Sequence, residues 1–222
     1  MDEPIILIFI CIVIPLLPAL LFMKSKARKT ALFLLVGIFI CLIASFINGL
    51  MQELTGMNEY EMTFLVTPFT EELLKLFPVA LYVFLFRPKK YDIISASVMV
   101  GIGFAILENN YIISSCMDSA TLRFALIRGM GAGLMHGMCT LITGFGLTYL
   151  HLRRKLAYAG TYALLIFAIV YHSCYNLLIQ SQYDIWGLLL PVGTIAVFLG
   201  IRAISTKIRN RNSNNEARKN EQ

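Results

Sequence analysis

Residues 63–86 read TFLVTPFTEELLKLFPVALYVFLF. The stretch is apolar and longer than the roughly 20 residues a helix needs to cross a bilayer, yet it holds Glu71, Glu72 and Lys75 on little more than one helical turn. An ionisable side chain at the centre of a membrane helix costs about 2.5–3.5 kcal/mol on insertion scales. Glu71 and Glu72, with Glu108 in the next apolar stretch, would together cost on the order of 8–10 kcal/mol before compensation. Net stabilities are ordinarily about 5–15 kcal/mol. A cost of that size calls for a paired network or a functional return.

The rest of the chain carries the same signature. Of its 222 residues 58% are hydrophobic and 14% charged, against about 45–50% and 25% in soluble domains. Apolar segments near 5–23, 30–50, 63–86, 93–113, 122–150, 156–180 and 185–201 predict an all-α, polytopic bundle of about seven transmembrane helices. The net charge of +6 does not point to nucleic acid. Sixteen of the 19 Lys and Arg residues fall in the runs after the first, third, fifth and last segments, and none in 51–62 or 181–184. By the positive-inside rule the N-terminus is outside and the C-terminus cytoplasmic. Asp2 and Glu3 stand where a cleaved signal would carry positive charge. The expected division is a membrane domain over 1–205 and a polar, disordered cytoplasmic tail over 206–222. The five cysteines form no CxxC pair, and four sit in apolar segments as small hydrophobes.

Further polar residues interrupt these segments: Glu108, Asn109, Arg128, His136, His172 and Asn176. At about 1.5 Å per residue from the outer end of each span, Glu71 and His172 lie roughly 12 Å deep, Glu108 roughly 8 Å and His136 roughly 15–20 Å. Four helices thus bring polar groups to the outer half of a core about 30 Å thick, where one water-filled cavity would serve them all. Glu72 and Glu71 stand three and four residues before Lys75, in the favourable order for pairing. His172 and Asn176 share a helix face. Arg128 either snorkels to the outer surface or neutralises a carboxylate, and His151 sits beside a cytoplasmic basic run. Gly129, Gly133 and Gly137 make a small-residue stripe of the kind that brings helices close, and Gly101 and Gly103 offer another before Phe104.

Several intramembrane chemistries have no residues here. There is no HExxH, no GxGD, no GxSxG and no Ser–Lys pair at matching depth. Tyr91-Asp92 and Tyr183-Asp184 fall at span ends, away from mid-membrane. Carboxylate, imidazole and amide remain, a set suited to activating water and stabilising an oxyanion.

Glu71-Glu72-Leu73-Leu74-Lys75 resembles the EExxK motif of the PrsW family of intramembrane proteases. Phe104 to Asn109 resembles that family's FxxxE(N) segment, and His136 and His172-Ser173-Cys174-Tyr175-Asn176 resemble its later histidine motifs. Order and spacing agree over nearly the whole chain. The family is similar to glutamic-type CAAX prenyl proteases and abortive-infection proteins, which carry EExxxR, FxxxH and HxxxN. Here Lys75 comes one residue earlier and Glu108 stands where those proteins have His.

The resemblance implies the first, outer-side cut in a membrane-anchored anti-sigma factor, with sigma-factor release and a stress response, in a bacterial cell membrane. The expected catalytic residues are Glu71, Glu72, Glu108, His136 and His172, supported by Lys75, Asn109, Arg128 and Asn176. Glu71 is the expected general base and Glu72 the partner of Lys75. Glu108 and His136 would orient the water or relay protons, and His172 and Asn176 would stabilise the oxyanion. No cofactor is required in this reading. The alternative is zinc on Glu71, Glu108, His136 and His172. The rival classes are a proton-coupled transporter and a non-catalytic membrane scaffold.

Overall fold

The computed structural model describes residues 3–118, 120–150, 154–181 and 184–220. His151, Arg153 and Tyr183 lie outside them. Among the described residues every regular element is helical and there is no strand. Helix α1 (Glu3–Phe22) is apolar on all sides, with Pro15 and Pro18 inside it. Helix α2 (Ser25–Thr55) ends on Gly56, whose left-handed φ of 66° lets its N–H bond to the Gln52 carbonyl, a cap that glycine makes without a Cβ penalty. Asn58 and Glu61 then form a reciprocal capping box over the one-turn helix α3 (Glu59–Glu61).

Helix α3 runs through a π-helical stretch, Met62–Val66, into α4 (Thr67–Phe86). Pro68 has no N–H for the carbonyl one turn earlier, and the chain widens there to i+5 bonding. Arg87 caps α4 at a left-handed φ of 46°. Helix α5 (Lys90–Ser115) is followed by the short α6 (Leu122–Ile127), capped by Thr121. A second π-helical stretch, Arg128–Ala132, leads into α7 (Gly133–Leu147). Helices α8 (Arg154–Gln180) and α9 (Asp184–Asn220) complete the bundle.

Helix α5 is the central element, packed between α2 and α7, with α8 on the far side of α7. One core layer joins Ile5 of α1, Ile38 and Ala44 of α2, and Phe104 and Leu107 of α5. Another joins Val79 and Val83 of α4 to Ile93, Val100 and Leu147. A third joins Met135 and Cys139 of α7 to Ala168 and Tyr175 of α8. Charged Glu71, Glu72, Lys75 and Arg128 are buried, whereas Leu21, Phe22, Phe86, Phe167 and Val170 are exposed. Such an inversion suits a hydrocarbon solvent and a polar interior.

The chain is an all-α, multi-pass membrane protein. Among the described residues five helical stretches are long and apolar enough to span: Pro4–Phe22, Ser25–Thr55, Lys90–Ser115, Leu122–Leu147 and Tyr158–Gln180. Two of the seven expected segments stand apart. Helix α4 carries Glu71, Glu72 and Lys75, and the apolar part of α9, Ile185–Gly200, is short. Helix α9 also continues through Asn220, over residues whose polar composition leads one to expect disorder. Extending an existing helix costs far less than nucleating one. Of the cysteines, Cys41 and Cys139 are buried as expected, but Cys11 and Cys174 are exposed, because their helices turn those positions outward.

Candidate active site

Helix α4 delivers the first part of the site. Glu72 and Lys75 face the same way one turn apart, and Lys75 Nζ lies 2.6 Å from Glu72 Oε1 with both side chains fully buried. The ammonium also lies 2.8 Å from His136 Nδ1 on α7 and 4.5 Å above the Phe104 ring. His136 Nε2 is 3.0 Å from Glu108 Oε2 on α5, and the same oxygen accepts from the Arg128 guanidinium at 3.0 Å. On the other flank, His172 of α8 places Nδ1 2.9 Å from Glu72 Oε1. Its Nε2 lies 3.8 Å from Glu71 Oε2. The rings of His136 and His172 meet edge to face, 4.8 Å apart. One chain of polar side chains therefore runs Arg128, Glu108, His136, Lys75, Glu72, His172, Glu71.

These partners fix the imidazole tautomers. An ammonium only donates, so His136 accepts at Nδ1 and donates its Nε2–H to Glu108. Ionised Glu72 accepts from His172 Nδ1–H, which leaves a lone pair on His172 Nε2. That nitrogen and Glu71 Oε2 are both buried without a hydrogen-bond partner. Glu72 is matched by Lys75 and Glu108 by Arg128. Glu71 is the one carboxyl of the three with neither Lys nor Arg at ion-pair distance among the described residues. The Glu108 side chain, 20% exposed, is the most open member of the cluster.

The structure thus gathers Glu71, Glu72, Lys75, Glu108, Arg128, His136 and His172 into one cluster. Arg128 acts as the counter-ion of Glu108 and does not snorkel. Asn176 donates to the Thr63 carbonyl at 2.9 Å, and Asn109 to the Arg128 carbonyl at 3.2 Å. Each asparagine therefore braces one of the two π-helical stretches. His172 differs from its expected role as an oxyanion donor, since its free nitrogen offers a lone pair where an oxyanion needs a hydrogen. Tyr175, one turn beyond His172, carries no role in the sequence reading beyond its place in the His172–Asn176 motif. It is fully buried with its hydroxyl unpartnered, and its three-residue spacing from His172 is the signal that could have found it.

The glycines hold the cluster together differently from the expected stripe. A Cβ on Gly129 or Gly133 would meet nothing, and one on Gly137 would make only ordinary contact with Ile102. The close approach comes from α5. A Cβ on Gly101 would overlap the His136 carbonyl, and one on Gly103 the Leu34 carbonyl of α2.

The donor set also fits a divalent cation. Ligand atoms of Glu71, His136 and His172 lie within 4.8 Å of one another, all buried. Glu71 Oε2 and His172 Nε2 are free to bind, and the His172 Nδ1–H bond to Glu72 is the brace that orients metal-binding imidazoles. To bind through Nε2, His136 would have to carry its proton at Nδ1 instead, and Lys75, which donates there, would have to lose one.

Residues 26–203, which include every residue of this cluster, match the family model described as PrsW family intramembrane metalloprotease. Neither a curated protein nor a solved structure matches the chain.

Proposed function

Because the chain belongs to the PrsW family of intramembrane peptidases, we propose that it cuts a single-span membrane protein near the outer face of a bacterial cell membrane. The substrate class we favour is an anti-sigma factor, whose first cut leads to sigma-factor release and a stress response. The basic runs favour an N-terminus outside and a C-terminus in the cytoplasm, an orientation that would put Glu71 and His172 in the outer half of the bilayer. The single observation that carries the reading is the pair Glu71 Oε2 and His172 Nε2, buried, unpartnered and 3.8 Å apart.

Glu72 and Lys75 form the fixed base of the site. Their pairing holds His172 Nδ1–H and His136 Nδ1 in place. A water between Glu71 and His172 gives its proton to Glu71 as its oxygen attacks the scissile carbonyl carbon. Asn176 has one amide hydrogen on Thr63 and a second for the carbonyl oxygen as it gains charge. The proton held by Glu71 then passes to the departing nitrogen as the C–N bond breaks, a general acid–base cycle of a kind that contributes about 10²–10⁴-fold.

A metal-assisted variant is favoured by the clustered donor atoms and by the family's description. Glu71, His136 and His172, with Glu108 beside His136, would hold a zinc-like cation, which supplies a bound water of lowered pKa and a polarised carbonyl. Proton acceptance then passes to Glu72 Oε2, the other buried carboxylate oxygen without a partner. Metal analysis of the purified protein separates the variants. About one cation per chain, lost in His172→Ala, supports the second, and a metal-free active protein supports the first.

The test of the peptidase reading is reconstitution into vesicles with synthetic single-span peptides, with products identified by mass. Cleavage in the outer half of the span is expected. Proton-coupled flux without products would indicate a transporter, and peptide binding without either would indicate a scaffold.

A further inference from the structure

Among the described residues five further buried polar atoms lack partners, and three of them border the π-helical stretch Arg128–Ala132. They are Arg128 Nε, Asn109 Oδ1 and the Tyr175 hydroxyl. Arg128 and Asn109 are linked by the bond from Asn109 Nδ2 to the Arg128 carbonyl. The Tyr175 hydroxyl lies against Gly131, 3.0 Å from where a Cβ would stand. Leaving a donor or acceptor buried and unmet costs about 1–3 kcal/mol, and three around one turn call for a common occupant. π-Helical turns recur at functional sites.

The chemistry of the three atoms narrows that occupant. Nε–H and O–H donate, and Oδ1 accepts. The guanidinium charge is already matched by Glu108, so a neutral ligand offering both a carbonyl and an N–H suits the space better than an anion. A peptide unit has that pattern. The place is also right. Arg128 bonds Glu108 at 3.0 Å and Glu108 bonds His136 at 3.0 Å, so Arg128 lies one carboxylate away from the histidines. At about 3.3 Å per extended residue, that is within a few residues of the cut. Ala132, Met135 and Ile179 belong to the same apolar cluster as Tyr175.

We propose that Arg128, Asn109 and Tyr175 form a subsite that reads the substrate's backbone, with Asn109 Oδ1 accepting a peptide N–H and Arg128 Nε and the Tyr175 hydroxyl donating to a peptide carbonyl. The assignment rests on the peptidase reading and deepens it. It makes substrate choice depend on local unwinding, since a backbone N–H already bonded inside a helix is not available to Asn109.

The test uses the full chain in vesicles and one cleaved synthetic peptide, remade as a series in which an ester replaces one backbone amide at a time around the cut. In wild type, one position is expected to lose roughly tenfold in kcat/KM, through KM, the worth of one hydrogen bond. Asn109→Leu should lose as much on the all-amide peptide and be indifferent to that ester. Tyr175→Phe, which removes a single oxygen, should raise KM without lowering the melting temperature. An Asn109→Leu protein that still distinguishes the ester overturns the subsite, as does a wild type that cleaves yet reads no ester. A wild type that cuts no peptide overturns the peptidase reading along with it.

Discussion

Glu71 and Glu72 are neighbours in sequence with opposite duties in the structure. Glu72 Oε1 meets both Lys75 and His172, whereas Glu71 Oε2 has no hydrogen-bond partner. Glu71→Gln should therefore leave the thermal midpoint close to wild type and lower the cleavage rate about 10²–10⁴-fold, the span general base catalysis covers. Glu72→Gln strands the Lys75 ammonium in the core and should cost about 3–5 kcal/mol of stability, read by thermal unfolding in the same detergent. The companion Lys75→Met strands Glu72 in the same way. Because both changes remove one buried pair, Glu72→Gln with Lys75→Met should cost less than the sum of the single variants, and additive costs would disprove the coupling. The Glu72–Lys75 partnership was legible from the i,i+3 spacing, since helix geometry alone brings those side chains together. The orphaned atoms were not legible. Which nitrogen of His172 is free depends on α8 meeting α4, and no spacing along the chain encodes that.

Elements carry the second level of the account. The sequence displays two glycine groups, and spacing alone favours the four-residue stripe Gly129, Gly133, Gly137. Packing favours the other. Gly101 lets α5 touch α7 at the His136 carbonyl, and Gly103 lets it touch α2 at Leu34. Gly101→Ala should force the two helices apart at the histidine, cost about 1–3 kcal/mol as overpacking does, and lower activity with it. Gly133→Ala faces open space and should be neutral or stabilising by up to about 1 kcal/mol. Thermal unfolding of the two variants side by side checks both, and equal losses would contradict the assignment. Helix α4 was legible as an apolar segment, but Glu71, Glu72 and Lys75 set it apart from the five clearly apolar spans. The residues that make the site are the ones that dilute its hydropathy. The π-helical stretches were not legible, although Pro68 gives a physical reason for the first.

At the scale of the molecule, an apolar exterior encloses an ionised interior, and short basic runs mark the end proposed to face the cytoplasm. The proposed orientation rests on lysine and arginine placement, which is itself the orienting signal. If the N-terminus is outside as proposed, a thiol placed at exposed Glu59 (Glu59→Cys) should react with a membrane-impermeant maleimide on intact cells. One placed at Ser213 (Ser213→Cys) should react only after permeabilisation. The reverse pattern would put the site in the inner leaflet and remove the outer-side cut. The central claim is that the buried Glu71–His172 pair is a hydrolytic centre. Its most direct test is the cleavage rate of a single-span peptide by Glu71→Gln in bilayers, at a thermal midpoint matching wild type. The account predicts a folded protein that binds the peptide and releases almost no product. A folded Glu71→Gln protein that cuts at the wild-type rate would contradict it.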